Sequence, residues 1–334
     1  MKRVGGLTEQ IAELDNLYLA YMKAKRGKQW KYEVMEYAAH LDESIDHLRL
    51  QLLQGSVDVG HYHYFTIHDP KERVICAAPF SERVLHHAIM NVCHSFFDRS
   101  LISDTYATRP GKGTYAALDR AKKAAARYTY MVKLDFRKYF DSIAHNVLKR
   151  QLSKKFKDQK LLNMFCQIID SYNAESGTGL PIGNLTSQYF ANMYLSEFDH
   201  LAKETLQART YLRYMDDILI ASDSKLELKQ IVTALDAYAR ANLHLCLKPP
   251  LYRRSDCGIP FLGYRVMPGY CLLSGRAKRK FRSKVLCYDN LLAKGLWTEE
   301  VYAEHVRPLL AYTQHAKSWH FRKDCLRIAA QQKR

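Results

Sequence analysis

The chain has 334 residues, enough for two or three subdomains with a real core. Its 47% hydrophobic and 25% charged content are those of a globular protein and exclude a disordered or fibrous one. The net charge of +17 points to a polyanionic partner held in a salt-sensitive way. There is no lipidation signal, no apolar h-region behind Met1-Lys2-Arg3 and no apolar run of about 18 residues, so a soluble, intracellular protein with no membrane partner is expected. The eight cysteines are scattered, and Cys246, Cys257 and His244 match no zinc spacing, so reduced thiols are expected.

Residues 8–54 read as helical. Ile11, Leu14, Leu17, Tyr18 and Tyr21 form one apolar stripe, and Leu41, Ile45, Leu48, Leu52 and Leu53 form another. Between them residues 23–31 are basic and include Trp30, which suits either an RNA-contacting loop or a solvated connection. Residues 62–68 and 73–78 predict a hairpin with Pro70 at the favoured second position of its turn. Residues 80–97 predict a helix with Val84, Leu85, Ala88, Ile89, Val92 and Phe96 inward. Arg109-Pro110-Gly111-Lys112-Gly113-Thr114 looks like a phosphate loop but lacks the full Gly-x-x-x-x-Gly-Lys-Ser/Thr pattern.

Residues 128–141 contain a β run that ends in Asp135, followed by a helix over 145–156. A long helix is expected over 186–206, packed through Phe190, Met193, Tyr194 and Phe198. Residues 210–221 predict two apolar strands joined at Tyr214-Met215-Asp216-Asp217. That turn breaks local rules, because a two-residue hairpin favours Asn-Gly or Asp-Gly and adjacent carboxylates repel. A divalent cation is the simplest compensation. If the two β runs lie side by side, Asp135, Asp216 and Asp217 could hold two Mg²⁺ ions roughly 3.5–4 Å apart, as in in-line phosphoryl transfer. Residues 225–241 predict another helix, Lys248-Pro249-Pro250 breaks the chain, and 259–266 reads as one strand whose Gly263 permits close approach. From Ser274 onward fourteen basic residues face five acidic ones, a local charge of about +9 on a small helical segment. Its expected core is Leu286, Leu291, Leu292, Val301, Leu309 and Leu310.

Tyr214-Met215-Asp216-Asp217, and Asp135 with Phe140 five residues on, resemble the catalytic motifs of reverse transcriptases. Most of these read Pro-Gln-Gly and then Ser-Pro where this chain reads Pro181-Ile182-Gly183 and Ser187-Gln188. That pair of changes resembles the reverse transcriptases of diversity-generating retroelements. The resemblance extends to Pro260-Phe261-Leu262-Gly263-Tyr264-Arg265 and loosely to 311–316. It implies an α+β right-hand polymerase, with fingers, a palm of antiparallel sheet backed by helices, and a small helical thumb. The implied divisions are an N-terminal helical extension over 1–55, fingers over 56–128, palm over 129–272 and thumb over 273–334.

The implied roles are as follows. Asp135, Asp216, Asp217 and the Phe136 carbonyl hold two Mg²⁺, for which Mn²⁺ can substitute. Lys71, Arg73, Phe140, Ile182, Gly183, Gln188 and Lys248 contact the incoming dNTP. Residues Phe261, Leu262, Gly263 and Tyr264 grip the primer, and Arg109, Lys112, Arg276, Lys278, Arg279 and Lys280 contact nucleic acid. The implied partners are a template-repeat RNA, its cDNA and a small basic helical accessory protein, typically pentameric. The implied setting is the cytoplasm of a bacterial or phage-infected cell. The implied activity is RNA-directed DNA synthesis with low fidelity at adenines, for mutagenic retrohoming. The alternatives are a group II intron-like, retron or CRISPR-associated enzyme, or a catalytically silent RNA-binding antiphage protein.

Overall fold

A computed structural model describes residues 3–68 and 72–331. The chain divides into two compact units, each built from several segments. The first comprises Met1–Ser103, Phe136–Leu201 and Ala234–Leu247, and the second Asp104–Asp135, Ala202–Thr233 and Lys248–Arg334.

The first unit opens with α1 (Thr8–Ile11), α2 (Leu14–Lys25), α3 (Tyr32–Ala39) and α4 (Leu41–Gln54). The expected first stripe assumed one continuous helix. The break at Ala12 and Glu13 shifts the phase, so Ile11, Leu17 and Tyr21 are buried while Leu14 is 42% exposed. Strands β1 (His63–His68) and β2 (Glu72–Ala77) pair antiparallel, as the hairpin reading required. The long α5 (Phe80–Asp98) buries Val84, Leu85, Ala88, Ile89, Cys93 and Phe97.

In the second unit α6 (Thr114–Arg127) precedes β3 (Tyr130–Leu134). The first unit then resumes with α7 (His145–Lys155), α8 (Gln159–Asp170), α9 (Leu185–Tyr194) and α10 (Ser196–His200). The helix expected over 186–206 is therefore interrupted at Leu195, where the Ser196 hydroxyl donates to the Ser100 carbonyl at 2.6 Å, and it ends in a π-helical turn, Leu201–Thr205. Phe190, Met193, Tyr194 and Phe198 are buried as expected.

The second unit is built on a four-stranded antiparallel sheet of β4 (Thr210–Tyr214), β5 (Asp217–Ser222), β3 and β6 (Leu251–Arg254), in that order. Helix α11 (Lys225–Leu243) begins in this unit. The small face of α6, with Ala117, Ala121, Ala124 and Ala125, packs in one apolar cluster with Met131, Leu212, Leu219 and Ala221 of the sheet. Alanine at helical spacing lets helix and sheet approach closely.

Residues 259–266 are not one strand but a hairpin of β7 (Ile259–Phe261) and β8 (Tyr264–Met267), extended by β9 (Tyr270–Leu273). Leu262 and Gly263 form its two-residue turn, both with positive φ (48° and 84°), which is why a glycine stands there. The C-terminal helices are α12 (Gly275–Ala293), α13 (Glu299–Gln314) and α14 (Trp319–Gln331). Their core differs from the expected one: Phe281, Val285 and Cys325 are buried, with Leu309, Leu310 and Phe321 against them. Leu286, Leu291, Leu292 and Val301 are only half-buried, because the inward stripe of α12 runs through Phe281 and Val285 instead.

Candidate active site

The sheet explains how three acids meet. Strand β3 ends at Leu134, paired with Ile218, and the register continued by one residue sets Asp135 beside Asp217. Strands β4 and β5 close through Met215 and Asp216, with Tyr214 opposite Asp217. Met215 takes a left-handed φ of 52°, a conformation that costs a non-glycine residue about 1–3 kcal/mol. The strain expected of this turn thus falls on Met215.

Two lysines face these acids. The Lys248 ammonium lies 2.7 Å from Asp135 Oδ2, and its backbone N–H donates to the Asp135 carbonyl at 2.8 Å. The Lys133 ammonium lies 2.7 Å from Asp217 Oδ1. Burial first, and then the negative charges of Asp217 and Asp135, push the Asp216 carboxyl up to about 6. Asp135 Oδ1 is buried with no hydrogen-bond partner among the described residues. Three carboxylates against two ammoniums leave an excess negative charge and an unsatisfied hard oxygen donor, which fits a divalent cation that prefers oxygen ligands. Among the described residues no three His, Cys, Asp or Glu side chains converge as a ready cage. Lys133 and Lys248 each hold one of the carboxylates. Lys133 escaped the sequence reading, although a lone lysine two residues before Asp135 in an apolar strand shares that acid's face.

The same unit holds several other expected residues. Phe261 and Tyr264 are each 1% exposed and belong to the core, so only Leu262 and Gly263 offer an open hairpin tip. The Gly263 carbonyl accepts from the Tyr312 hydroxyl at 3.2 Å. Arg109 donates to the Thr105 hydroxyl at 2.8 Å, and Lys112 lies 5.3 Å from the Tyr106 ring. Arg276, Lys278, Arg279 and Lys280 are exposed in the first turns of α12. Cations there oppose the helix dipole, so helix stability does not explain them.

The nucleotide-contacting residues expected around Ile182 lie in the first unit. The Ile182 carbonyl accepts from the Cys76 N–H at 2.9 Å, which docks β2 onto this segment. Gly183 has φ 137°, and a Cβ there would stand 2.5 Å from the Cys76 carbonyl oxygen. Gly183→Ala is therefore expected to lower stability by roughly 2–3 kcal/mol, read as a drop in melting temperature. An unchanged melting temperature would mean that β2 is not docked here. Ile182 and Arg73 line one groove of about 660 Å³ together with Lys138, Asp141 and Tyr172. Burial raises the Asp141 carboxyl above its usual range. Phe140 opens a 3-10 turn edge-on to Tyr139, and Gln188 is exposed in the first turn of α9. Phe136 is buried at 1%, and Lys71 lies outside the described residues. Cys246 and Cys257 are exposed free cysteines.

A family model described as "Reverse transcriptase (RNA-dependent DNA polymerase)" matches residues 68–265. Protein YkfC of Escherichia coli K12 is 21% identical over 273 residues, covering 66% of this chain and 71% of that protein. The Retron Ec73 reverse transcriptase of Escherichia coli is 26% identical over 58% of this chain and 63% of its own length. The group II intron-encoded protein LtrA of Lactococcus lactis subsp. cremoris is 24% identical over 39% of this chain, which spans only 22% of LtrA. The apo telomerase structure from Candida Tropicalis superposes with a TM-score of 0.51 at 13% identity, over 87% of this chain and 66% of that one. At that identity the likeness concerns the fold alone, which is that of the right-hand polymerases, mixed helix and antiparallel sheet. No helix of the described residues is long and apolar enough to cross a membrane.

Proposed function

The chain belongs to the reverse transcriptase (RNA-dependent DNA polymerase) family, and from that premise we propose that it copies an RNA template into cDNA at Asp135, Asp216 and Asp217. The observation that carries this reading is the set of three carboxylates at one end of the β3–β5 ladder, with an unsatisfied Asp135 oxygen and a raised Asp216. Asp135, Asp216 and Asp217, with the Phe136 carbonyl, would hold two Mg²⁺ ions. Bound there, the ions supply Lewis-acid activation of the primer 3′-hydroxyl and neutralise the charge developing on the leaving pyrophosphate.

The chain's own groups do the rest. Lys248 and Lys133 hold two of the carboxylates in place and offset their repulsion. Arg73 and Lys71 neutralise triphosphate charge, and Phe140 packs under the sugar and excludes a ribose 2′-hydroxyl. The hairpin tip at Leu262 and Gly263 seats the primer end. The exposed cations of α12, with Arg109 and Lys112, hold the nucleic-acid backbone through charge. Segments 56–128, 129–272 and 273–334 act as fingers, palm and thumb. Primer extension on an RNA template by the purified chain, with Asp135→Asn as control, tests this. Equal extension by wild type and the variant would end the assignment.

Ile182 and Gln188 favour the diversity-generating subtype over the intron and retron readings. That reading brings a template-repeat RNA, a small basic pentameric accessory protein and a cytoplasmic setting. Ile182 can neither donate nor accept a hydrogen bond, so it aligns the nucleotide by packing alone. Its backbone is fixed by Cys76, so a changed side chain leaves the segment in place. Restoring a polar contact with Ile182→Gln is expected to improve selection by about tenfold, the equivalent of roughly 1–1.5 kcal/mol. The improvement is expected opposite template adenines, with other bases little affected. Sequencing cDNA from both proteins measures it, and an unchanged adenine error rate places the infidelity elsewhere.

A further inference from the structure

A small pocket in the first unit is built unlike its surroundings. It encloses about 200 Å³ and draws residues from α3, α4, Asp58 and the start of α5. Its lining combines buried Leu48, Leu85 and Glu82 with half-buried Tyr37 and exposed Asp58. Glu82 is only 2% exposed. One of its oxygens is engaged: Oε1 accepts the N–H groups of Gly60 at 3.1 Å and His61 at 2.9 Å. The other, Oε2, is buried with no hydrogen-bond partner among the described residues. Burial pushes this carboxyl above the usual range despite those two N–H bonds. A buried acceptor left unmatched is costly, and it marks a place where a donor belongs.

The local charge points the same way. The whole chain carries +17, yet α4 exposes Asp42, Glu43 and Asp46, with Arg49 its one Lys or Arg. Asp58 at the pocket adds another carboxylate, 2.7 Å from the His61 ring. Apolar side chains beside a carboxylate complement an alkyl stem that ends in a cation. Tyr37 lines the same pocket, its ring stacked on Tyr21 at 5.9 Å and edge-on to Phe80 at 5.1 Å.

We propose that this pocket binds an alkylammonium or alkylguanidinium group, with Glu82 Oε2 as its acceptor and Asp58 as a second anionic contact. The same chemistry is carried by free polyamines and by a Lys or Arg side chain of another protein. The site is independent of the polymerase reading, because none of its residues belongs to the proposed catalytic machinery.

The test is calorimetric titration of the full chain with n-butylguanidinium, n-butylammonium, spermidine, and blocked arginine and lysine amides. n-Pentanol serves as a neutral control of similar shape. The expected result is saturable binding of cations and at least about tenfold weaker binding of the alcohol. Glu82→Gln should weaken cation binding by at least about tenfold and leave primer extension unchanged. Should that variant fold poorly, Ser44→Trp, which fills the pocket from α4, should abolish binding, and Asp58→Asn should weaken it. Binding of the free amines assigns the site to small polyamines, and binding of the blocked amino acids alone assigns it to a partner's side chain. Failure of every cation to saturate, or equal binding by the alcohol or by Glu82→Gln, overturns the proposal and leaves a buried water as the partner of Oε2.

Discussion

Asp216→Asn is expected to raise the melting temperature of the metal-free protein at pH 8 while removing polymerisation. The Asp216 carboxyl is moved from 3.8 to about 6 by burial and by the charges of Asp217 and Asp135. The folded state therefore binds this proton more tightly than the unfolded chain does. The stabilisation that protonation gives is complete below pH 4 and is lost as pH rises through 6. Above that, the ionised carboxylate costs the fold roughly 3 kcal/mol, a cost a neutral asparagine does not bear. The variant's advantage should be largest at pH 8 and vanish near pH 4, as measured by thermal unfolding in chelator. With Mg²⁺ present, loss of one ligand charge is expected to lower primer extension by at least about 10³-fold. RNA binding should persist through the basic surface. Extension close to wild type would sink the metal assignment. Equal melting temperatures at pH 8 would show that neither burial nor the neighbouring acids penalise the Asp216 carboxylate in the fold.

This trade between stability and activity is what the sequence already hinted at. An Asp-Asp turn between two apolar strands violates hairpin chemistry, and Met215 in a left-handed conformation shows where the strain sits. The β run before Asp135 was legible from its apolar residues, and its place beside the 210–221 hairpin from the need to bring the three acids together, but its pairing with β5 in particular was not. The helices over 8–54, 80–97, 145–156 and 186–206 were legible from their 3.6-residue period, apart from the breaks at Ala12–Glu13 and Leu195, whereas α8 (Gln159–Asp170) was not read from the sequence.

Other features were beyond a linear reading for definite reasons. Lys133 and Asp217 are far apart in sequence and meet only through strand register. The docking of β2 on Ile182 and Gly183 joins segments more than a hundred residues apart. The hairpin at Leu262 and Gly263 left a local sign, a glycine between two short apolar runs, but Leu262 at positive φ is not a residue that turn statistics favour. In α12 the inward stripe runs through Phe281 and Val285, one turn apart, rather than Leu286, Leu291 and Leu292, while Leu309 and Leu310 of α13 pack against it as expected. Period alone does not choose between two adjacent stripes.

Arg213→Met is expected to lower the turnover of primer extension by about 10²-fold, the loss expected from a displacement of about 1 Å at a reacting centre. Arg213 is fully buried at the penultimate position of β4, where a cation is costly to desolvate. Its guanidinium donates to the Met215 carbonyl at 3.0 Å. Its backbone N–H donates to the Asp104 carbonyl, and its carbonyl accepts from the Tyr106 N–H, both at 2.9 Å. The residue therefore grips the strained turn from inside while its own strand is pinned along the 104–106 segment. Methionine keeps much of the stem and leaves those backbone bonds in place, so the sheet survives. The Met215 carbonyl loses its donor, at a cost of about 1–3 kcal/mol, and the left-handed turn is free to relax, carrying Asp216 with it. Arg213→Lys keeps the charge but not the planar fork and should recover stability better than turnover. Steady-state kinetics should place the loss in kcat with little change in the KM for dNTP. A lowered melting temperature with kcat within a few-fold of wild type would reduce Arg213 to a structural cation with no hold on the turn.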